Sequence, residues 1–440
     1  MIEIAKTILS EHILCDNCLG RQFALLGYGL SNQERGKIIK EALLLENYNA
    51  IPDDTIALAI IENIALMNNE LAQKTLQRKK IHLEYSEREC EICGDLFSRI
   101  DNIVDEILNK LQKEEFDSFL VGAVVSPILE EKDDQIKATY KISTSESIKE
   151  EFTREIGKRI YLKTKKETKF DLPDITIIID LQKQKIVLEK RSLYIYGRYR
   201  KFVRNIPQTR WPCWECRGKG CEKCHYTGKL YQESVEELIA NPIIKITGGS
   251  GTKFHGAGRE DIDALMLGNG RPFVLEIKNP DKREINLQKI TKIVNKKTKS
   301  KVAVDNLEIT DKRKIQELKG SSTETRKTYR AKIKVDKEIT PEASQKIEEI
   351  LKGVIIKQYT PQRVLHRRSN LERLRSIYDI KVKFIDKFEL EAEITGEGGL
   401  YIKELISGDD GRTKPSFASI LSCNAKCYQL DVIKVHSKAK

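Results

Sequence analysis

Apolar residues recur at helical spacing from the start of the chain. Ser31-Asn32-Gln33-Glu34 has the capping-box form, and Ile38, Ile39, Ala42 and Leu43 follow on one face. This pattern predicts a helix over about 31 to 46, within a mainly helical first eighty residues. Farther on the period shortens: Ser118 to Val125 and Gln135 to Ile142 read as strands. Ile148, Phe152, Ile156 and Ile160 then recur every fourth residue and mark one helix face. Ile175 to Leu181, Lys185 to Glu189 and Leu193 to Tyr199 are short β-rich runs between polar turns, so the middle third is α+β. Pro207, Pro212 and the glycine-rich Arg217 to Gly228 segment interrupt this pattern. The chain therefore divides into 1–205, a linker at 206–230, and 231–440. In the last part, Arg283 to Lys301 is a basic helix or loop, and Thr340-Pro341 opens a helix running to about Lys352.

Composition narrows the class. At about 150 residues per domain, 440 residues make two or three domains. Apolar residues are 40% and charged residues 33%, with mean hydropathy −0.46, a profile of a charged globular protein. The most apolar stretch, Phe119 to Leu129, is about half a bilayer span and is broken by Pro127, so it reads as a buried strand and no membrane residence is expected. Met1 to Lys6 carries an early acid and no long apolar run, which predicts a cytoplasmic protein. A net charge of +12 favours a polyanionic partner such as nucleic acid. The sequence sets no oligomeric state.

Of the ten cysteines, eight fall in Cys-x-x-Cys pairs. Cys15, Cys18, Cys90 and Cys93 form two distant knuckles, each presenting two thiolates on one tight turn. Together they make a four-thiolate site that suits structural zinc, with iron as the alternative. Cys213, Cys216, Cys221 and Cys224 lie within a segment that resembles half of the zinc finger of DnaJ-type chaperones. All-cysteine sets leave no open coordination position, so both metals are expected to be structural. Cys423 and Cys427, at i and i+4, read as a packing pair on a helix.

Two further segments carry chemistry. Tyr194 to Arg204 interleaves basic and aromatic residues, which suits either stacking on RNA bases or an amphipathic strand. Phe254-His-Gly-Ala-Gly-Arg-Glu-Asp261 places a carboxylate just after a glycine-rich loop. Arg259 lies two residues before it, able to hold it ionised or to contact a phosphate. Alone, Asp261 reads first as a solvent-facing loop acid. Gly248-Gly-Ser-Gly251 lacks the Gly-Lys-Ser/Thr of a nucleotide loop, and no dinucleotide fingerprint is present.

Gly258-Arg259-Glu260-Asp261 resembles the motif around the catalytic aspartate of pseudouridine synthases. More narrowly, the chain resembles the archaeal tRNA pseudouridine synthases of the Pus-ten family. The match runs through Cys15-x-x-Cys-Leu-Gly-Arg-Gln-Phe23, both cysteine sets, Arg210-Trp-Pro-Cys213, Phe254 to Ile277, and Gly399-Leu-Tyr-Ile-Lys403. The resemblance implies a fold, α+β, with a zinc-bearing, THUMP-like accessory domain. It also implies a catalytic domain built on a mixed, largely antiparallel sheet.

It implies roles as well. Asp261 would be the catalytic residue, Tyr329 the ring that stacks on the target base, and Lys403 the cation paired with the carboxylate. Leu421 would be the apolar residue under the flipped uracil. The implied substrate is tRNA, at uridines 54 and 55 of the TΨC arm, with no organic cofactor. Whether the carboxylate attacks the sugar or acts on it as a base stays open. So does a non-catalytic, chaperone-like zinc protein that binds RNA.

Overall fold

The computed structural model describes residues 1–82, 88–321 and 325–436. It falls into two compact units, Met1–Arg191 and Ser192–Lys440. The division lies at 191, not at 205, because the run read as the last strand of the first part belongs to the sheet of the second.

The first unit opens with helices Ile2–Glu11, Asp16–Arg21, Asn32–Asn47, Thr55–Leu66 and Glu70–Arg78. Ser31 and Glu34 make the reciprocal capping box at the third of these, as their spacing predicts. Helix Ile100–Leu111 leads to β1 (Ser118–Val124), and two helices, Pro127–Thr139 and Ile148–Thr164, precede β2 (Glu167–Thr168), β3 (Ile175–Asp180) and β4 (Lys185–Lys190). The sheet order is β2-β1-β3-β4, with β1 parallel to β2 and β3, and β4 antiparallel to β3. Phe152, Ile156 and Ile160 are fully buried in one core with Phe119 and Ile177, so the four-residue repeat is the inward face of a helix. The segment Gln135–Ile142 is not a strand. Pro127 occupies the first turn of a helix that runs through most of it, and the short alternation there was too brief to outweigh that start signal.

Helices Asp16–Arg21 and Asn32–Asn47 cross at two glycines. A Cβ on Gly36 would collide with the carbonyl of Asp16, and one on Gly20 with the carbonyl of Asn32. Beside this crossing Arg21, wholly buried, donates to Glu151 at 2.9 Å, to Asp133 at 2.7 Å and to the Cys18 sulfur at 3.5 Å.

The second unit begins with β5 (Leu193–Lys201), followed after the cysteine segment by helix Val235–Thr247. Then come β6 (Gly251–Gly256), β7 (Leu265–Lys278), helix Leu287–Lys297, β8 (Val302–Thr310), helix Arg313–Ser321 and β9 (Lys327–Val335). The chain continues with helix Glu342–Leu351, β10 (Ile355–Tyr359), β11 (Glu372–Asp386), β12 (Glu389–Gly396) and helix Ile402–Ser407. It ends with β13 (Thr413–Lys414), helix Phe417–Leu421 and β14 (Ala425–Val435). The helix opened by Thr340-Pro341 therefore starts one residue later than its cap signal suggests. Cys423 and Cys427 share no helix, because Ser422 at φ +52° ends one and Cys427 lies on β14.

All ten strands form one sheet in the order β13-β10-β11-β12-β9-β14-β7-β5-β8, with β6 also pairing β7. Every pairing is antiparallel except β14 with β7, which is parallel and registers only Asp431 with Leu265 and Val432 with Met266. Side chains strengthen this seam. Asn269 donates to Val435 O at 2.7 Å and accepts from Val435 N at 3.0 Å, while Arg204 pairs with Asp431 at 2.6 Å. Separate apolar clusters fill the sheet on either side of it, one around Ile333, Ile380 and Leu405, the other around Ile239, Phe273 and Val304.

In a helix interior Gly→Ala normally adds about 1 kcal/mol of stability. At Gly36 the sign should reverse: Gly36→Ala should destabilise the first unit by about 1–3 kcal/mol through overpacking. The midpoint of urea denaturation against the wild-type chain checks this.

Candidate active site

Residues 257–264 connect β6 to β7, and buried groups hold this loop along its length. From β7, Arg271 donates to Glu260 Oε2 and to Ala257 O, both at 2.8 Å. The Tyr199 hydroxyl from β5 donates to the same Glu260 carboxylate at 2.8 Å, and Gln208 donates to Gly258 O at 3.0 Å. Lys201 donates to the carbonyls of Asp261 and Ile262 at 3.3 and 3.1 Å, and Arg204 donates to Asp263 O at 2.7 Å. The basic and aromatic run from Tyr194 to Arg204 is therefore not an RNA-facing strip. It is an internal strand and its exit, and its cations grip the loop that carries Asp261. Arg198 likewise donates to Gly270 O at 2.8 Å, and Arg200 pairs with Asp305 at 3.1 Å.

With Glu260 fixed inward, the carboxylate of the next residue, Asp261, opens into a cleft of ≈ 520 Å³. Arg363 Nη1 stands 3.2 Å from one Asp261 oxygen and Lys403 Nζ 3.4 Å from the other. Each cation has a second, tighter partner: Arg363 Nε meets the buried Glu404 at 2.6 Å, and Lys403 meets Asp263 at 2.8 Å. Burial alone would lower both cations, but these bonds and the charge of Asp261 hold both above their usual ranges. Gln358, buried on β10, bonds both the N–H and the C=O of Tyr401 and so sets the approach of helix Ile402–Ser407, which carries Lys403 and Glu404.

Tyr329 on β9 lines the same cleft, as do the apolar side chains of Leu400, Leu430 and Val432. Burial pushes its phenol up to about 12, with Arg271 opposing and Asp261 adding to the shift. Arg259 also lines the cleft, but its guanidinium lies over the Trp211 ring at 4.8 Å instead of facing Asp261. Leu421 ends a short helix and packs on the core around Ile333, outside the cleft lining. Four of the expected residues, Asp261, Tyr329, Lys403 and Arg259, thus meet in one place. Arg363 is a site residue that none of the sequence motifs marks; distant pairing with Glu404 and Asp261 brings it into the cleft. In the structure Arg368 donates to the Tyr401 hydroxyl at 2.9 Å, while the Arg367 side chain lies outside the described residues.

Both cysteine sets close. The four sulfurs of Cys15, Cys18, Cys90 and Cys93 lie within 4.8 Å of one another, as do those of Cys213, Cys216, Cys221 and Cys224. Neighbouring sulfurs are 3.7 Å apart at Cys15/Cys93, 3.9 Å at Cys213/Cys221 and 3.8 Å at Cys216/Cys224. Sulfurs at about 2.3 Å from one tetrahedral ion would stand about 3.8 Å apart. The N–H groups of Gly220 and Gly228 point at Cys216 and Cys224 at 3.2 Å, as ligand thiolates require. Each set can hold a metal ion.

A loop carboxylate clamped by a guanidinium and an ammonium, in one cleft with a ring two strands away in a largely antiparallel sheet, fits the arrangement that the pseudouridine synthase resemblance implies. The comparisons agree: residues 194–436 match the family model "Pus10, C-terminal", and 103–180 match "Pus10 THUMP domain, archaeal". The chain belongs to the Pus10 family. The tRNA pseudouridine synthase Pus10 of Methanocaldococcus jannaschii is 43% identical across 98% of this chain and 93% of its own length. That of Methanothrix thermoacetophila is 38% identical across 99% and 94%. A solved Cbf5-Nop10-Gar1 complex overlaps 46% of this chain and 45% of its own at a TM-score of 0.29 and 19% identity, too distant for its site to be compared.

The distances rank the two cations. Arg363→Met should lower single-turnover pseudouridine formation by about 100-fold, close to 2.7 kcal/mol of barrier. Lys403→Met, whose ammonium stands farther from Asp261, should lower it by about tenfold. Quench-flow rates with saturating enzyme check the order.

Proposed function

We propose that this protein isomerises uridine to pseudouridine in tRNA, at positions 54 and 55 of the TΨC arm, with Asp261 as the catalytic carboxylate. The observation that carries the reading is the placement of Asp261: paired with Arg363 and Lys403, open to the cleft and sharing it with Tyr329. A uridine in folded tRNA must be extruded before a carboxylate can reach its sugar. The cleft offers a ring for the flipped base and cations around it. Leu430 and Val432 take the apolar contact first assigned to Leu421. Relatives that match nearly the whole chain bear the name tRNA pseudouridine synthase, and the net charge of +12 suits a polyanion. No helix among the described residues is long and apolar enough to cross a membrane. The metal in each cysteine set is read as zinc, which takes four thiolates without redox demands and leaves no open position for chemistry. Eight thiols kept as ligands suit the cytoplasm.

Incubating the protein with unmodified tRNA transcript and mapping product by carbodiimide-stop sequencing tests the reaction and the positions together. Asp261→Asn should leave tRNA affinity within a few-fold and remove product at both positions, since one carboxylate serves both uridines. Activity retained at either position would refute the role of Asp261, and product confined to another arm would refute the substrate site. Elemental analysis should find two zinc ions per chain, and chelation should lower the unfolding midpoint as well as the rate.

A further inference from the structure

The cations that line the cleft are engaged, with one exception. Arg271 is held by Glu260, Arg363 by Glu404 and Asp261, Lys403 by Asp263, and Arg368 by the Tyr401 hydroxyl, while Arg259 lies on Trp211. Lys327 lines the same cleft, is only 6% exposed, and its amine has no hydrogen-bond or ion-pair partner among the described residues. It stands at the head of β9, two residues before Tyr329, and so on the same face of the strand. A side chain at Gly258 would lie 3.2 Å from Lys327 Nζ and 3.1 Å from Arg271 Nη1, so the amine reaches the loop of Asp261 at a point where glycine leaves it open. The nearest carboxylate, Glu260, is already occupied by Arg271 and Tyr199.

The reaction leaves a proton to be moved. The bond from C1′ to N1 breaks with its electron pair going to the base, and C1′ then bonds to C5, which for a moment carries both hydrogen and sugar. The C5 proton must leave to restore the ring, and N1 must gain one, so the net change is one proton carried from C5 to N1. We propose that the amine of Lys327 is that carrier, taking the proton from C5 and returning it to N1, so that it ends the cycle as it began. This rests on the pseudouridine synthase reading of the cleft.

The surroundings favour this role for Lys327 over its neighbours. Burial and the facing Arg271 guanidinium lower the amine to about 7, with Glu260 opposing, so a large share of it is an unprotonated base near neutral pH. Burial keeps Tyr329 a phenol, and Asp261 is committed to its two cations. From the other packed strands, the register partners of Lys327 are Gly396 on β12 and Val435 on β14, neither of them ionisable. His436 bonds instead to Thr328, the next residue along β9.

Single-turnover rates on tRNA transcript made with protiated or 5-deuterated uridine test the proposal across pH 5.5–8.5. The wild-type rate should rise with pH through a midpoint near 7. Lys327→Met keeps the shape of the side chain and removes an unpaired buried amine, so its unfolding midpoint should not fall. Its rate should drop about 100-fold or more, its pH slope should vanish, and a primary isotope effect larger than that of the wild type should appear, with tRNA affinity within a few-fold. Lys327→Arg, a cation that stays protonated, should be as slow as Met. A fast Arg variant would overturn the proposal in favour of a purely electrostatic role. A slow Met variant with the pH profile and isotope effect of the wild type would overturn it in favour of a structural one. If the wild type itself forms no pseudouridine, the enzyme reading fails, and the absence of product distinguishes that failure from the other two.

Discussion

The buried ion pair between Glu260 and Arg271 sets the geometry of the catalytic unit. Both side chains are 2% exposed or less, and each charge costs several kcal/mol to remove from water, so neither is stable there without the other. Tyr199 completes the coordination of Glu260. Glu260 is anchored inward, and the side chain of the next residue, Asp261, leaves the backbone toward the cleft, to the point where Arg363 and Lys403 converge. The pair also engages Glu260, the carboxylate whose charge acts on Lys327. The clamped acid and the unpaired amine are therefore two results of one buried contact.

Metal-ligand sets do comparable work at a larger scale. The segment 213–224 has two buried cysteines, Cys213 and Cys224, and otherwise short turns at positive φ, so its shape depends on four sulfurs drawn together. The set at Cys15, Cys18, Cys90 and Cys93 joins residues far apart in sequence, and Arg21 extends it by bonding the Cys18 sulfur to two buried carboxylates. A guanidinium beside a thiolate offsets part of the charge that four sulfurs concentrate, and the carboxylates in turn balance the guanidinium.

Local periodicity made the helices at Asn32–Asn47 and Ile148–Thr164 and the strands β3 and β5 legible, because each has one clear buried face, and β1 and β4 were legible as short β-rich runs. Gln135–Ile142 misled because a few alternating residues satisfy both periods, and only the proline upstream decides between them. The division at 191 was hidden for another reason: β5 pairs with β7 and β8, residues far along the chain, and pairing partners leave no local trace. Cysteine spacing showed both metal-ligand sets directly. Asp261, Tyr329, Lys403 and Arg259 were legible through motifs, whereas Arg363, Arg271 and Lys327 look like ordinary basic residues. What sets them apart is burial and partnership, which arise only when distant strands meet. The Tyr194–Arg204 run shows the converse: composition alone does not tell a cation that binds phosphate from one that holds a carbonyl.

The parallel seam between β7 and β14 carries a consequence for how the protein tolerates change. Backbone ladders are indifferent to most substitutions, since every residue but proline brings the same donor and acceptor. This seam has a short ladder, and Asn269, Asp431 and Arg204 join its strands through side chains, so each join can be lost by a single base change in the gene. Selection should therefore hold these positions nearly as firmly as the cleft residues, although none of them lines the cleft. Drift should run freely along the long antiparallel edges, and variants with a weakened seam should be recovered by second-site changes in the residues that face it.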